Sequence, residues 1–206
     1  MDLDTIRIFA ISKLSWIRKH QEKFRSQPRE APREYITGES HYYMGKRYLL
    51  RVVEHKAPPK VALKHGTMEI YIRPNTDSEK RGKILDEWYR RRLKEMAPGM
   101  IAKYEKTMKV KVDEFGIKKM KTKWGSCNIK AKRIWLNLEL AKKERHYFEY
   151  IIVHEMVHLL ERNHNDRFMA HMDRFIPQWR FLKEELNRSI LPHADWGVVD
   201  LHNWSA

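Results

Sequence analysis

The chain has 206 residues, a net charge of +15 and a single cysteine. Its length suits one compact domain, or a domain with a small appendage. The lone thiol excludes an internal disulfide framework and predicts a reducing, cytoplasmic setting, and no run reaches the roughly 18 apolar residues of a membrane span, which predicts that no membrane is involved.

Met1 to Phe9 carries Asp2, Asp4 and Arg7 and has no signal-peptide apolar core. Thr5 to Phe24 sets Ile8, Ile11, Ile17 and Phe24, with Trp16, at helical spacing and predicts an amphipathic helix. The polar, proline-bearing stretch Ser26 to Pro32 reads as a linker. These features divide the chain into a helix and linker over 1–34 and a domain over 35–206.

Strand-like sequence follows. Gly38 to His55 predicts a hairpin turning at Gly45-Lys46, and Val61–Leu63 and Met68–Ile72 predict two short strands joined near His65-Gly66. Thr76 to about Lys106 predicts a helix, capped by Asp77 or Ser78 and interrupted at Pro98-Gly99. Val110 and Val112 alternate with lysines as a strand would. Phe115–Trp124 and Arg133–Leu138 predict two strands around a loop at Asn128–Lys132, with Ile134, Leu136 and Leu138 on one face. A buried helix is expected from about Lys142 to Arg162. Another starts at an Asn165 cap and runs to about Arg188 with a break at Pro177. Strands first and helices last predict an α+β fold, a small antiparallel sheet beside the metal-binding helix described next.

The chemistry lies in the stretch His154-Glu155-Met156-Val157-His158, with a third histidine at His164. Residues four apart on a helix stand one above the other, so His154 and His158 can converge on one Zn²⁺. Glu155 sits about 100° further round the helix. It can lie beside the metal without binding it and take a proton from a water in the open fourth position. His164 is the candidate third ligand. Glu161, three residues after His158, is its rival, and Glu184 or Glu185 are weaker ones. Asn163 is the residue expected to adopt a left-handed turn before His164. Ile151, Ile152, Val153, Met156, Val157, Leu159 and Leu160 make the helix apolar nearly all round, and burying two imidazoles and a carboxylate there without a partner would be costly. A purely structural zinc site leaves Glu155 without a role and has only three evident ligands.

Lys103 to Arg145 holds fourteen Lys and Arg against five Asp and Glu, a net +9. This segment reads either as a solvated face or as an electrostatic approach for an anionic substrate or for nucleic acid. Cys127 beside a metal site is not expected to act as a nucleophile. His171 and His146 read as packing and surface residues, Asn165 and Asp166 as a cap or as partners that orient His164, and Phe168, Met172, Phe175 and Trp179 as core.

Lys121-Thr122-Lys123-Trp124-Gly125-Ser126-Cys127-Asn128, Arg133–Leu138, Tyr150–His158 and Arg162–Phe168, in that order, resemble the YgjP-like metallopeptidase family over about residues 35 to 196, and more distantly the SprT-like and other small zincins. The resemblance implies a minimal zincin-like fold with a zinc cofactor and a peptide or protein substrate, with His164 as third ligand and Trp124, Gly125, Ser126, Cys127 and Asn128 lining the substrate cleft. It also implies an N-terminal β segment that is shortened here. A family member described as a UTP pyrophosphatase makes nucleotides the alternative substrate, and the SprT-like likeness makes proteolysis at nucleic acid a third. The strand near Trp124 or that near Trp135 is expected to hold an extended peptide by β-augmentation.

Overall fold

The computed structural model describes residues 2–26, 33–120 and 123–188. Most of the expected linker, and positions 121–122 and 189–206, lie outside them. Helix α1 (Leu3–Ser26) is the expected amphipathic helix, and its Leu3, Ile6, Ile8, Phe9, Ile11 and Leu14 side chains are exposed.

A four-stranded sheet follows, built from β1 (Ser40–Tyr43), β2 (Lys46–Glu54), β3 (Lys60–Lys64) and β4 (Thr67–Ile72) in the order β1-β2-β4-β3. The β1–β2 turn falls on Met44-Gly45, both at positive φ (48° and 76°). Two consecutive left-handed residues give the tight turn whose twist matches that of the strands. Its amides also anchor the sheet, since Met44 N–H donates to the Ala141 carbonyl (2.9 Å) and Gly45 N–H to that of Lys142 (3.3 Å).

Helix α2 (Ser78–Met108) starts at Asp77, whose carboxylate accepts from Lys80 N–H at 2.7 Å. It runs straight through Pro98-Gly99, against the expected interruption. Both residues are exposed, while Leu93, Ala97, Met100, Ile101 and Tyr104 form a buried stripe opposite. The carbonyl that loses its partner to Pro98 therefore faces water, and the packed face continues unbroken. No strand forms at Val110–Val112 either. Lys109 ends the helix in a left-handed conformation (φ 57°), and Val112 N–H is engaged by the Glu105 carboxylate at 2.8 Å.

The second sheet comprises β5 (Glu114–Lys118), β6 (Gly125–Asn128) and β7 (Arg133–Asn137) in the order β5-β7-β6. The strand expected over Phe115–Trp124 forms only at its start, as β5, and a separate strand, β6, begins just after it on the other side of β7. The α+β class stands, but neither sheet is purely antiparallel. β2 and β4 run parallel, as do β5 and β7. Asn137 explains the split. Its buried carboxamide donates to the Met120 carbonyl (3.0 Å) and the Lys123 carbonyl (2.7 Å) and accepts from Met120 N–H (3.3 Å) and Glu139 N–H (3.2 Å). It thereby ties down the crossover between β5 and β6. Replacing Asn137 with alanine leaves the buried Met120 carbonyl and the half-buried Lys123 carbonyl without this donor and should cost about 2–4 kcal/mol in a denaturant titration. Asn137→Asp should not restore this, because a carboxylate cannot donate. A loss below about 1 kcal/mol would show that the crossover is held by something else.

After a 3₁₀ turn (Leu138–Lys142) comes α3 (Arg145–Val157), packed against α2, β6, β7 and the two last helices, α4 (Asp166–Phe175) and α5 (Trp179–Arg188). The expected break near Pro177 separates α4 from α5. No described helix is long and apolar enough to cross a membrane.

Candidate metal centre

α3 is shorter than its sequence pattern suggests and ends at Val157. His158 keeps right-handed helical angles (φ −62°, ψ −18°), and the chain then tightens, with Leu159 N–H donating to Met156 and Leu160 N–H to Val157. His154 and His158 therefore still share one face, and both are buried (6% and 5% exposed). Because the helix ends early, the chain has room to reverse through ordinary bends. Asn163 does not adopt the expected left-handed conformation, since it is absent from the residues with positive φ.

The reversal brings His164 over the helix. Its Nε2 lies 3.1 Å from His154 Nε2, and one nitrogen from each of His154, His158 and His164 falls within 4.8 Å of the others. Two nitrogens bound tetrahedrally to one zinc at roughly 2.0–2.1 Å would be about 3.3 Å apart. His158 Nδ1 faces the Glu161 carbonyl at 3.3 Å, which places a proton on Nδ1 and leaves the Nε2 lone pair free. That Nε2 is buried and has no hydrogen-bond partner among the described residues. Burial holds the pKa of His154 well below the usual imidazole range, reinforced by His158 and His164, and burial likewise lowers that of His158. Three converging imidazoles, two of them kept neutral by burial, and one orphaned buried acceptor fit a divalent metal of the zinc type.

The rivals to His164 are occupied elsewhere. The Glu161 carboxylate accepts from Asn163 N–H (3.4 Å) and lies 4.0 Å from Arg167, while its backbone carbonyl orients His158. Glu184 and Glu185 both pair with Arg188. Asn165 caps α4, accepting from Phe168 N–H at 3.1 Å. His171 stacks on Phe175 (6.0 Å between centroids), and His146 sits beside Tyr147 and Glu144 at the helix surface.

Glu155 is 1% exposed, and its Oε1 has no hydrogen-bond partner among the described residues. Burial pushes its pKa up to about 8, partly offset by the Lys123 ammonium. The wall beside it is Gly125. A Cβ at that position would lie 2.4 Å from Glu155 Oε1 and 2.8 Å from its Cδ, so the carboxylate rests against bare backbone.

The five residues expected to line a cleft divide into groups. Trp124 is buried in the core. Gly125 and Cys127 share the inner face of β6, towards Glu155, and burial with the nearby Glu155 pushes the Cys127 thiol up to about 12, so it stays protonated. Ser126 and Asn128 alternate onto the outer face, where the Asn128 carboxamide accepts from Ala131 N–H at 3.0 Å in the β6–β7 turn. β6 is an edge strand, as is β5, whereas β7, which carries Trp135, is central. Asn137 N–H donates to the Trp124 carbonyl, so by the alternation of an antiparallel ladder the main-chain groups of Gly125 and Cys127 point to the open edge. The basic segment is partly neutralised. Lys103, Lys119, Arg133 and Lys142 pair with Glu149, Asp86, Glu114 and Glu139.

Sequence reasoning missed the Gly125–Glu155 contact and the place of Phe168. The second was accessible in principle. The Asn165 cap puts Phe168 in the first turn of α4, and helical side chains lean back towards the N-terminus, here towards His164.

Among known proteins, a family model described as YgjP-like, metallopeptidase domain, matches residues 1–189 of the chain. The crystal structure of the metallopeptidase zymogen of Pyrococcus abyssi abylysin is similar at a TM-score of 0.40 and 16% identity, covering 43% of this chain and 90% of that one. No curated protein matches.

Proposed function

This chain belongs to the YgjP-like metallopeptidase domain family, and from that premise we propose that it is a zinc-dependent peptidase with His154, His158 and His164 as ligands and Glu155 as general base. The observation that carries the proposal is the convergence of three imidazole nitrogens within 4.8 Å beside a buried carboxylate on the same helix. A zinc ion bound there supplies Lewis acidity, polarising a carbonyl and acidifying water.

The remaining steps belong to the protein. Glu155 takes the proton of the attacking water and returns it to the leaving amine. His154 and His158, kept neutral by burial, need lose no proton to bind a cation. The open edge of β6 accepts an extended peptide through the main-chain groups of Gly125 and Cys127 and lays the scissile bond along the strand that abuts Glu155.

A phosphoanhydride is the second reading. It is favoured by the net +9 segment and by Lys123, which stands close enough to Glu155 to lower its pKa. The test is a peptide library and a nucleoside triphosphate panel offered to zinc-loaded wild type, to chelator-treated protein and to Glu155→Gln. Peptide cleavage by the zinc-loaded wild type alone is expected. Pyrophosphate release with the same dependence, and no peptide cleavage, would replace the peptidase reading by the nucleotide one.

A further inference from the structure

Phe168 occupies an unusual position for a core residue. Its ring centroid lies 5.0 Å from that of His154, 4.9 Å from His158 and 4.5 Å from His164, at interplanar angles of 64°, 40° and 83°. Together the three histidine rings pack on one aromatic ring that is only 2% exposed. We propose that Phe168 is a positioning residue for the metal centre, a rigid backing that sets the orientation of all three imidazoles before the metal arrives. This rests on the reading of His154, His158 and His164 as ligands.

The three rings have unequal support. His154 and His158 project from one helix, whose backbone already fixes their spacing. His158 is held further by its Nδ1 contact to the Glu161 carbonyl. His164 comes from the reversal after the helix and makes the closest, nearly perpendicular contact with Phe168, at 4.5 Å and 83°. Edge-to-face contact is the preferred geometry for aromatic rings and resists rotation of either partner. Phe168 is itself pinned at the backbone, because its N–H donates to the Asn165 side chain directly after His164. The cap therefore couples the loop that delivers the third imidazole to the ring that backs it. The same ring closes the rear of the site to water, and an apolar wall of that kind strengthens metal–ligand electrostatics.

A smaller or flexible side chain at 168 would leave every nitrogen donor in place but let the rings rotate. Residues that support ligands without touching the metal typically change metal affinity by about 10–100-fold. The inference is tested with full-length wild type, the smaller Phe168→Leu, the flexible Phe168→Met, and Met172→Ala, which empties a buried position one turn further along the same helix. Zinc affinity is read by competition with a chromophoric chelator, ligand geometry by the visible spectrum of the cobalt-substituted protein, and stability by melting the metal-free forms.

Both Phe168 variants should raise the zinc Kd by about 10–100-fold and alter the cobalt spectrum. Met172→Ala should lower the melting temperature of the metal-free protein yet keep wild-type zinc affinity. Wild-type affinity in folded Phe168→Leu and Phe168→Met, or an equal loss in Met172→Ala, overturns the inference while leaving the metal centre intact. Failure of wild type to bind stoichiometric zinc overturns both.

Discussion

His158→Ala should leave the protein without stoichiometric metal after dialysis, and without the thermal stabilisation that metal confers on the wild type. The variant keeps two of three donors, and the missing one is the nitrogen left buried with no hydrogen-bond partner among the described residues. In the metal-free protein the substitution costs the Nδ1 contact to Glu161 and opens a cavity at a buried position, so metal content is the deciding readout. The metal-bound wild type, by contrast, gains about 4 kcal/mol when free metal is a thousandfold above its dissociation constant. The measurement is metal content by atomic emission, with melting curves taken with and without added zinc. The wild-type melting temperature should rise on zinc addition and that of His158→Ala should not. Retention of one equivalent of metal by the variant would remove His158 from the ligand set.

The depressed pKa values of His154 and His158 add a pH signature. A buried imidazole that resists protonation binds fewer protons folded than unfolded. The stability of the metal-free protein should therefore fall as pH drops below the ordinary imidazole value of 6.5, where only the unfolded chain takes up the proton. Metal should sharpen this dependence, since protons and metal compete for the same lone pairs.

The candidate metal site was more legible in the sequence than the sheet beside it, for a physical reason. His154 and His158 sit on a helix, where four residues of spacing set a distance, and a strongly apolar helix announces its own burial. His164 was harder because it comes from a reversal whose path depends on where the helix stops. Glu161 stayed a rival by spacing, and its carboxylate instead faces Asn163 and Arg167. The sheet failed differently. Phe115 to Trp124 has the composition of one strand, and nothing local signals that it must cross from one side of β7 to the other. That crossing is fixed by Asn137, more than a dozen residues away, through hydrogen bonds that leave no periodic trace. Pro98 misled for the converse reason, since local propensity predicts a break that packing on the opposite face overrides.

Glu155→Gln should keep the metal and lose turnover by about 10²–10⁴-fold. The substitution preserves the size of the side chain and removes its basicity, so it separates proton transfer from the shape of the site. The environment makes this separation clean. Without a cation, burial pushes the Glu155 pKa up to about 8. A nearby divalent cation favours the ionised form and makes the carboxylate available as a base. The raised pKa has a linked consequence, because the folded metal-free protein holds a proton that the unfolded chain releases. That contribution to stability is complete below pH 4.5 and is lost as pH rises towards about 8. Glu155→Gln should flatten this decline and leave the metal-free protein more stable than wild type at the alkaline end. Gly125→Ala offers the companion experiment. A methyl group 2.4 Å from Glu155 Oε1 must displace the carboxylate, since its three nearest neighbours are all atoms of the Glu155 side chain. A shift of about 1 Å at a reacting group can cost 10²-fold, so Gly125→Ala should approach Glu155→Gln in turnover and match wild type in metal content. Full turnover in Glu155→Gln would assign the proton to another group. Full turnover in Gly125→Ala alone would mean that Glu155 works from a position other than the one resting against β6.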